Sequence, residues 1–129
     1  MYDPTNLQVT IDLASLHIQM GDYAGYRSCH QKLIGQLPNR SNFWLGFMVG
    51  TYLEGKYAQC VDVIRTYRDT LEKTPSILRQ ELVFLEADCF EADHDYPSAI
   101  ASLRSGMKDI LDEDTANERL ARLYGQTGE

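Results

Sequence analysis

The chain has 129 residues, of which 43% are apolar, and this is enough to bury the core of one domain. Its formal net charge of −7 disfavours direct binding to nucleic acid, because such binding requires a basic surface. The longest apolar stretch, Phe43 to Leu53, is too short to cross a bilayer, and no secretory signal opens the sequence. We therefore expect a cytoplasmic protein without a membrane segment.

Apolar residues recur at helical spacing from the beginning of the sequence. Pro38 predicts the end of a second helix, and Ser41 is expected to be the N-cap of a third. Leu13 and Ala14 are expected to form the closely packed pair of the first helix. That first helix is predicted by one set of apolar residues: Leu7, Ile11, Leu13, Leu16 and Met20.

Four further helices follow in the second half of the chain. Pro97 suits the first turn of the sixth helix, and Gly106, expected in the middle of that helix, indicates a close approach to another helix. A last helix is predicted from about Asp114 to Tyr124, with its turn at Gly128. The apolar residues that predict the fourth, fifth and sixth helices are, in order, Val61, Val63, Ile64, Tyr67 and Leu71; Leu82, Leu85, Cys89 and Ala92; and Ile100, Leu103, Met107 and Ile110.

A short sequence occurs twice, as Gly21-Asp22-Tyr23 and Gly55-Lys56-Tyr57, at the 34-residue interval of a tetratricopeptide repeat. About five extra residues separate the second and third units, near Pro75. The residues that fill the structural positions of this repeat are Gly21, Tyr23, Pro38, Trp44, Gly55, Tyr57, Tyr96 and Ala99.

These observations predict an all-α, tetratricopeptide-type helical-hairpin solenoid of about three and a half repeats. The single domain covers residues 1–129, with repeats at about 7–40, 41–74 and 80–113 and a partial repeat at 114–129. Solenoid ends normally carry an atypical polar capping unit, and neither end of this sequence shows one. We therefore expect a piece of a longer array.

The concave face of such an array is built mainly by the first helix of each hairpin and usually binds a partner. Chaperone-type tetratricopeptide domains clamp acidic tails with lysine and arginine, and neither residue type occurs at these positions here. An apolar strip flanked by acids better suits a partner helix or an extended apolar segment, although the array's own turns could also cover it. The candidate partner-binding residues are Ile11, Ser15, Ile18, Leu45, Val49, Tyr52, Phe84, Asp88 and Glu91.

Acidic residues crowd the third repeat, where the only bases in the sequence are Arg104 and Lys108. The run can be a solvated face or a docking site for a basic partner segment. The ten residues concerned are Glu81, Glu86, Asp88, Glu91, Asp93, Asp95, Asp109, Asp112, Glu113 and Asp114.

The sequence predicts no catalytic, cofactor-binding or metal-binding residues. Asp93-His94-Asp95 lies near Cys89, but a calcium loop from Asp93 would require glycine at Ser98, and zinc-binding pairs of cysteine or histidine are missing. We interpret this segment as a turn with its own helix-capping aspartate. Three scattered cysteines offer no nucleophile–base pair and favour reduced thiols.

A closer resemblance is carried by a set of residues between about Asn6 and Lys73. The sequence there resembles the auxiliary subunit of the N-terminal acetyltransferase A complex. Gly25-Tyr26-Arg27 matters most, because a generic repeat prefers a small residue at Tyr26. The other matching residues are Gln19 to Asp22, Leu33, Pro38, Trp44 to Phe47, Leu53, Tyr57 and Arg68 to Thr70.

This resemblance implies a non-catalytic scaffold that wraps the acetyltransferase catalytic subunit and holds it near the ribosome. The implied partners are that catalytic subunit, the neighbouring repeats of the full-length chain and the ribosome. An alternative of another class is a generic tetratricopeptide adaptor that binds a peptide or helix in some other complex.

Overall fold

The computed structural model describes residues 4–72 and 76–128, and within these ranges its regular structure is helical. The insertion predicted at Pro75 lies outside the described residues. The elements are α1 (Pro4–Gln19), α2 (Tyr23–Gln36), α3 (Ser41–Leu53), α4 (Tyr57–Arg68), α5 (Ile77–Ala92), α6 (Tyr96–Ser105), a 3₁₀ turn (Met107–Asp109) and α7 (Glu113–Thr127). They fall into two compact units, Met1–Cys60 and Val61–Glu129.

The turns that close the hairpins, and the end of α7, share one backbone feature, a residue with positive φ. Across the described ranges these residues are Gly21 (75°), Gly55 (79°), His94 (59°) and Gly128 (79°). Each stands just after α1, α3, α5 or α7, at intervals that follow the predicted repeat. Glycine adopts this left-handed conformation readily, whereas histidine does so at a cost. The predicted fold class, all-α with tetratricopeptide-type hairpins, is confirmed.

Aspartates cap the second helix of two hairpins. Asp22 accepts a hydrogen bond from the Gly25 N–H at 3.0 Å, and Asp95 accepts one from the Ser98 N–H at 3.3 Å. Such caps satisfy backbone donors that a helix start leaves without a partner. The predicted capping turn at Asp93-His94-Asp95 is therefore confirmed, as is Pro97 in the first turn of α6.

We expect Lys56→Asp to stabilise the chain by about 0.5–1 kcal/mol, because position 56 matches Asp22 and Asp95 in the repeat and lysine offers no acceptor. Thermal and urea unfolding measure the change. Lys56→Ala is the matched control, since it removes the 3.9 Å contact to Glu54 without adding a cap. Equal stability of the two variants would contradict the prediction.

Two details of the predicted helices are wrong. The N-cap of α3 is Arg40, and Ser41 is already its first residue. Leu13 is 42% exposed rather than closely packed, whereas Ala14 beside it is 3% exposed. Leu13 points about 100° away from Ala14, toward a side of α1 that no described helix covers.

The first unit is held together by close contact between α2 and α3. Tyr26 meets His30 edge-on with ring centroids 4.5 Å apart, and His30 lies 6.3 Å from the Phe43 ring. Gly46 faces the His30 imidazole so closely that a methyl group in its place would overlap the ring. Small residues on α3 therefore make room for a row of large side chains on α2.

Burial gives His30 a pH-dependent effect on stability. Burial lowers the pKa of its imidazole, and a backbone hydrogen bond at Phe43 partly opposes this shift. In the unfolded chain His30 takes up a proton with a pKa near 6.5, whereas in the folded chain it does so only at lower pH. The free energy of unfolding should therefore fall as the pH drops from about 7 through the unfolded-state pKa of His30. Denaturant titrations at several pH values should show that the free energy of unfolding depends less on pH in His30→Gln. An unchanged dependence would show that His30 is not the group responsible.

The second unit has a core between α5, α6 and α7, formed by Val83, Phe84, Ala87, Ala99, Ile100, Leu103, Ile110, Ala116 and Leu123. The α6 helix ends at Ser105, so the expectation that it runs through Met107 and Ile110 is wrong, and Gly106 is its C-cap rather than a mid-helix residue. The close approach predicted at Gly106 is confirmed, because a methyl group there would lie 2.6 Å from Val83 Cγ1.

Candidate partner-binding surfaces

The predicted partner-binding residues of α1 lie on one side of the helix. Ile11 and Ile18 are half-buried, and Ser15 between them is exposed. At about 100° per residue they point away from the exposed side chains of Leu13 and Leu16. This side of α1 therefore offers an uncharged strip with a polar centre.

The corresponding residues of α3 are Leu45, Val49 and Tyr52, spaced four and three residues apart and all half-buried. The Tyr52 ring packs edge-on against Tyr57, at the start of α4, with centroids 5.4 Å apart. Both sets of the first unit are thus uncharged and partly accessible, as a surface for an apolar partner requires.

The third set, on α5, lies against arginines of α7. Arg119 Nη1 donates to Asp88 Oδ1 at 2.8 Å, and its guanidinium carbon lies 4.4 Å from the centre of the Phe84 ring. Arg122 Nη2 donates to both carboxylate oxygens of Glu91, at 2.6 and 3.0 Å. The structure therefore brings Phe84, Asp88 and Glu91 together under two arginines that the sequence analysis did not select.

A signal for these arginines exists in the sequence. Arg119 follows Asp88, and Arg122 follows Glu91, by the same 31 residues, close to one repeat. Burial raises the pKa of Asp88, and the charge of Arg119 opposes this. A basic partner at this face would have to displace arginines already paired with the carboxylates.

Two further acids of the third repeat are deeply buried in ion pairs. Glu86 Oε1 accepts from Arg65 Nε at 2.6 Å, and Asp109 Oδ1 accepts from Arg79 Nε at 3.0 Å. The interpretation of the acidic run as one solvated face is therefore wrong for these residues. Acids of the run that remain exposed are Glu81, Asp93, Asp112, Glu113 and Asp114.

Known proteins similar to this chain were found by sequence and by structure. No protein-family model matches the chain. The human protein N-alpha-acetyltransferase 16, NatA auxiliary subunit, is 31% identical over 98 residues, which cover 69% of this chain and 11% of that protein. The mouse protein of the same name is 27% identical over 130 residues, covering 94% of this chain and 15% of that protein.

A solved structure titled as Naa15/Naa10 bound to HypK-THB contains a similar chain. The TM-score is 0.83 at 26% sequence identity, over 94% of this chain and 19% of that chain. The chain belongs to the NatA auxiliary subunit family. The resemblance found in the sequence is thereby confirmed, and the chain spans 11–15% of the length of these relatives.

This segment of a NatA auxiliary subunit has no helix, among those described, that is long and apolar enough to cross a membrane. Residues 4–72 and 76–128 hold no group of His, Cys, Asp and Glu side chains suited to a metal ion. Its cysteines, Cys29, Cys60 and Cys89, are all buried and form no disulfide.

Proposed function

We propose that this chain is a non-catalytic scaffold segment of a NatA-type auxiliary subunit, one stretch of a longer tetratricopeptide array. The similarity to two proteins named NatA auxiliary subunit, and to a chain of the structure of Naa15/Naa10 bound to HypK-THB, carries the proposal. The proposed partner is the acetyltransferase catalytic subunit. A cytoplasmic location near the ribosome and the repeat limits given above belong to the same proposal.

The half-buried strips of α1 and α3 would supply the partner contact. Uncharged side chains that keep part of their surface in water gain free energy when a partner helix covers them. The α5–α7 pair would serve differently, since its arginines and carboxylates already neutralise one another. Its role would be to hold α5 and α7 in register rather than to attract a charged ligand.

A binding measurement with matched variants tests the proposal. The proposed partner, Naa10, is immobilised, and the chain is added within its full-length parent protein. We expect Ser15→Arg, in the exposed centre of the α1 strip, to weaken binding at least about tenfold. Ser28→Arg makes the same change at an exposed position of α2 and should leave binding unchanged.

Absence of co-purification with the catalytic subunit would overturn the scaffold proposal. The second candidate, a general tetratricopeptide adaptor, is favoured by the uncharged α1 and α3 strips. It would show as binding of a different helix that depends on Ser15, without binding of Naa10. Turnover of acetyl-CoA by the purified chain alone would overturn the non-catalytic assignment.

A further inference from the structure

A polar groove with a volume of about 280 Å³ runs between α4 and α6 in the second unit. Arg65 and Arg68 of α4 form one wall of this α4–α6 groove, and serines of α6 form the other. Its floor belongs to α5, through Glu86 and Phe90. Both walls and the floor therefore come from described helices that follow one another in the array.

Positive charge exceeds negative charge in this groove. The side chain of Glu86 is 3% exposed, accepts from Arg65 Nε at 2.6 Å and lies 3.5 Å from Arg68 Nη1. Two arginines and one glutamate leave an excess of one positive charge, in a chain whose net charge is −7. Asp69, the acid next to Arg68 in sequence, lines an adjoining cavity and not the groove itself.

The two arginines also keep hydrogen-bond donors for a ligand. Arg65 uses Nε for Glu86, and its terminal nitrogens donate to no described residue. The Phe90 ring, whose centre lies 5.9 Å from the guanidinium carbon of Arg65, helps to orient that group. Arg68 holds Glu86 only loosely, because 3.5 Å exceeds the usual length of an N–H···O hydrogen bond. Both guanidinium groups therefore have donors to direct at a ligand.

Serines of α6 lie across the groove from these arginines. Ser98, Ser102 and Ser105 are spaced four and three residues apart, which places them on one side of the helix. The Ser105 hydroxyl donates to the Ser102 carbonyl at 3.2 Å, whereas the hydroxyls of Ser98 and Ser102 donate to no described residue. The small side chains leave space in the groove and add uncharged donors to its wall.

Guanidinium and hydroxyl donors around an excess positive charge suit an oxyanion. A phosphate monoester carries a charge of about −1.5 to −2 at pH 7 and offers three acceptor oxygens, so it can accept from both arginines and a serine together. A carboxylate has two oxygens and half the charge. The adjoining cavity, of about 480 Å³, shares Arg68 and Ser105 with the groove and is large enough for a small organic group.

We propose that the α4–α6 groove binds a phosphate monoester. The phosphate lies between the arginines of α4 and the hydroxyls of Ser98 and Ser102, and the organic part of the ligand enters the adjoining cavity. The phosphate is carried by a small molecule or by a phosphorylated side chain of a partner segment. This site is separate from the α1 and α3 strips and does not depend on the scaffold role.

Isothermal titration calorimetry of the 129-residue chain with O-phosphoserine tests the proposal, at low ionic strength to limit screening. Binding is expected for O-phosphoserine and not for serine. Ala101→Glu should raise the dissociation constant at least about tenfold, because Ala101 is an exposed residue of the groove lining and a carboxylate there repels the phosphate. Arg65→Gln should weaken binding to a similar extent, since it removes a charged donor.

Ala121→Glu is the matched control, because it makes the same change at an exposed position of α7 outside the groove and should leave binding unchanged. Circular dichroism establishes that each variant is folded. A short peptide with one central phosphoserine distinguishes the two sources of the phosphate. Tighter binding of this peptide than of O-phosphoserine would support the site with a phosphorylated partner segment, and equal or weaker binding would support it with a small molecule.

Two results would overturn the proposal. One is the absence of binding to both O-phosphoserine and the phosphopeptide. The other is binding that Ala101→Glu and Ala121→Glu weaken equally, because the attraction would then belong to the overall charge of the chain and not to the α4–α6 groove.

Discussion

Replacing Asp109 with alanine should destabilise the second unit by about 3–5 kcal/mol. Asp109 and Arg79 are each 8% exposed in their side chains. The two carboxylate oxygens accept from Arg79 Nε at 3.0 Å and from Nη2 at 3.3 Å. Without them, the acceptors left to the buried guanidinium among the described residues are the carbonyl oxygens of Arg68 and Glu72, which lie 3.4 and 3.2 Å from its Nη1.

Urea unfolding followed by circular dichroism measures this loss. Glu81→Ala is the control, because Glu81 is an exposed acid on α5 and its removal should change the free energy of unfolding by at most about 0.5 kcal/mol. The double change Arg79→Met with Asp109→Leu should recover most of the stability, since it leaves no charge buried alone. A small effect of Asp109→Ala would show that water reaches Arg79.

Gly46→Ala should destabilise the first unit by about 1–3 kcal/mol, although alanine favours a helix by about 1 kcal/mol over glycine. The added methyl group would overlap the His30 imidazole, which is itself packed between Tyr26 and Phe43. The ring cannot move without disturbing both neighbours, so the overlap outweighs the gain in helix propensity.

A double-mutant cycle isolates this contact. His30→Ala in the Gly46→Ala background should restore part of the loss, which gives a coupling free energy of about 0.5–3 kcal/mol between the two positions. Gly125→Ala is the matched control, because Gly125 lies within α7 with open space around its missing side chain, and there alanine should stabilise. Additive effects of Gly46→Ala and His30→Ala would contradict the proposed overlap.

The sequence was sufficient for the fold because the repeat depends on local features. Gly21 and Gly55 identify the left-handed turns at 34-residue spacing, and Pro38 and Pro97 indicate where helices end and begin. The turn at His94 was predicted but its positive φ was not, because histidine does not require that conformation, although it occupies the same turn position as the glycines.

The surfaces were harder to predict, for a physical reason. An ion pair such as Glu86–Arg65 joins residues 21 positions apart on different helices, and composition alone does not distinguish a paired acid from a solvated one. Leu13 and Leu16 likewise have the residue types of a core but lack a covering helix. Helical periodicity identifies an apolar face and does not reveal what lies against it.

The burial of the three thiols makes the opening of each unit separately measurable. Cys29 and Cys60 lie in the first unit and Cys89 in the second, and each is at most 4% exposed. Because burial raises the pKa of Cys29 and shields all three sulfur atoms, alkylating reagents react only after local opening. Mass spectrometry of the alkylated peptides would therefore measure how fast the α2–α3 packing and α5 open, in one sample of the chain without any substitution.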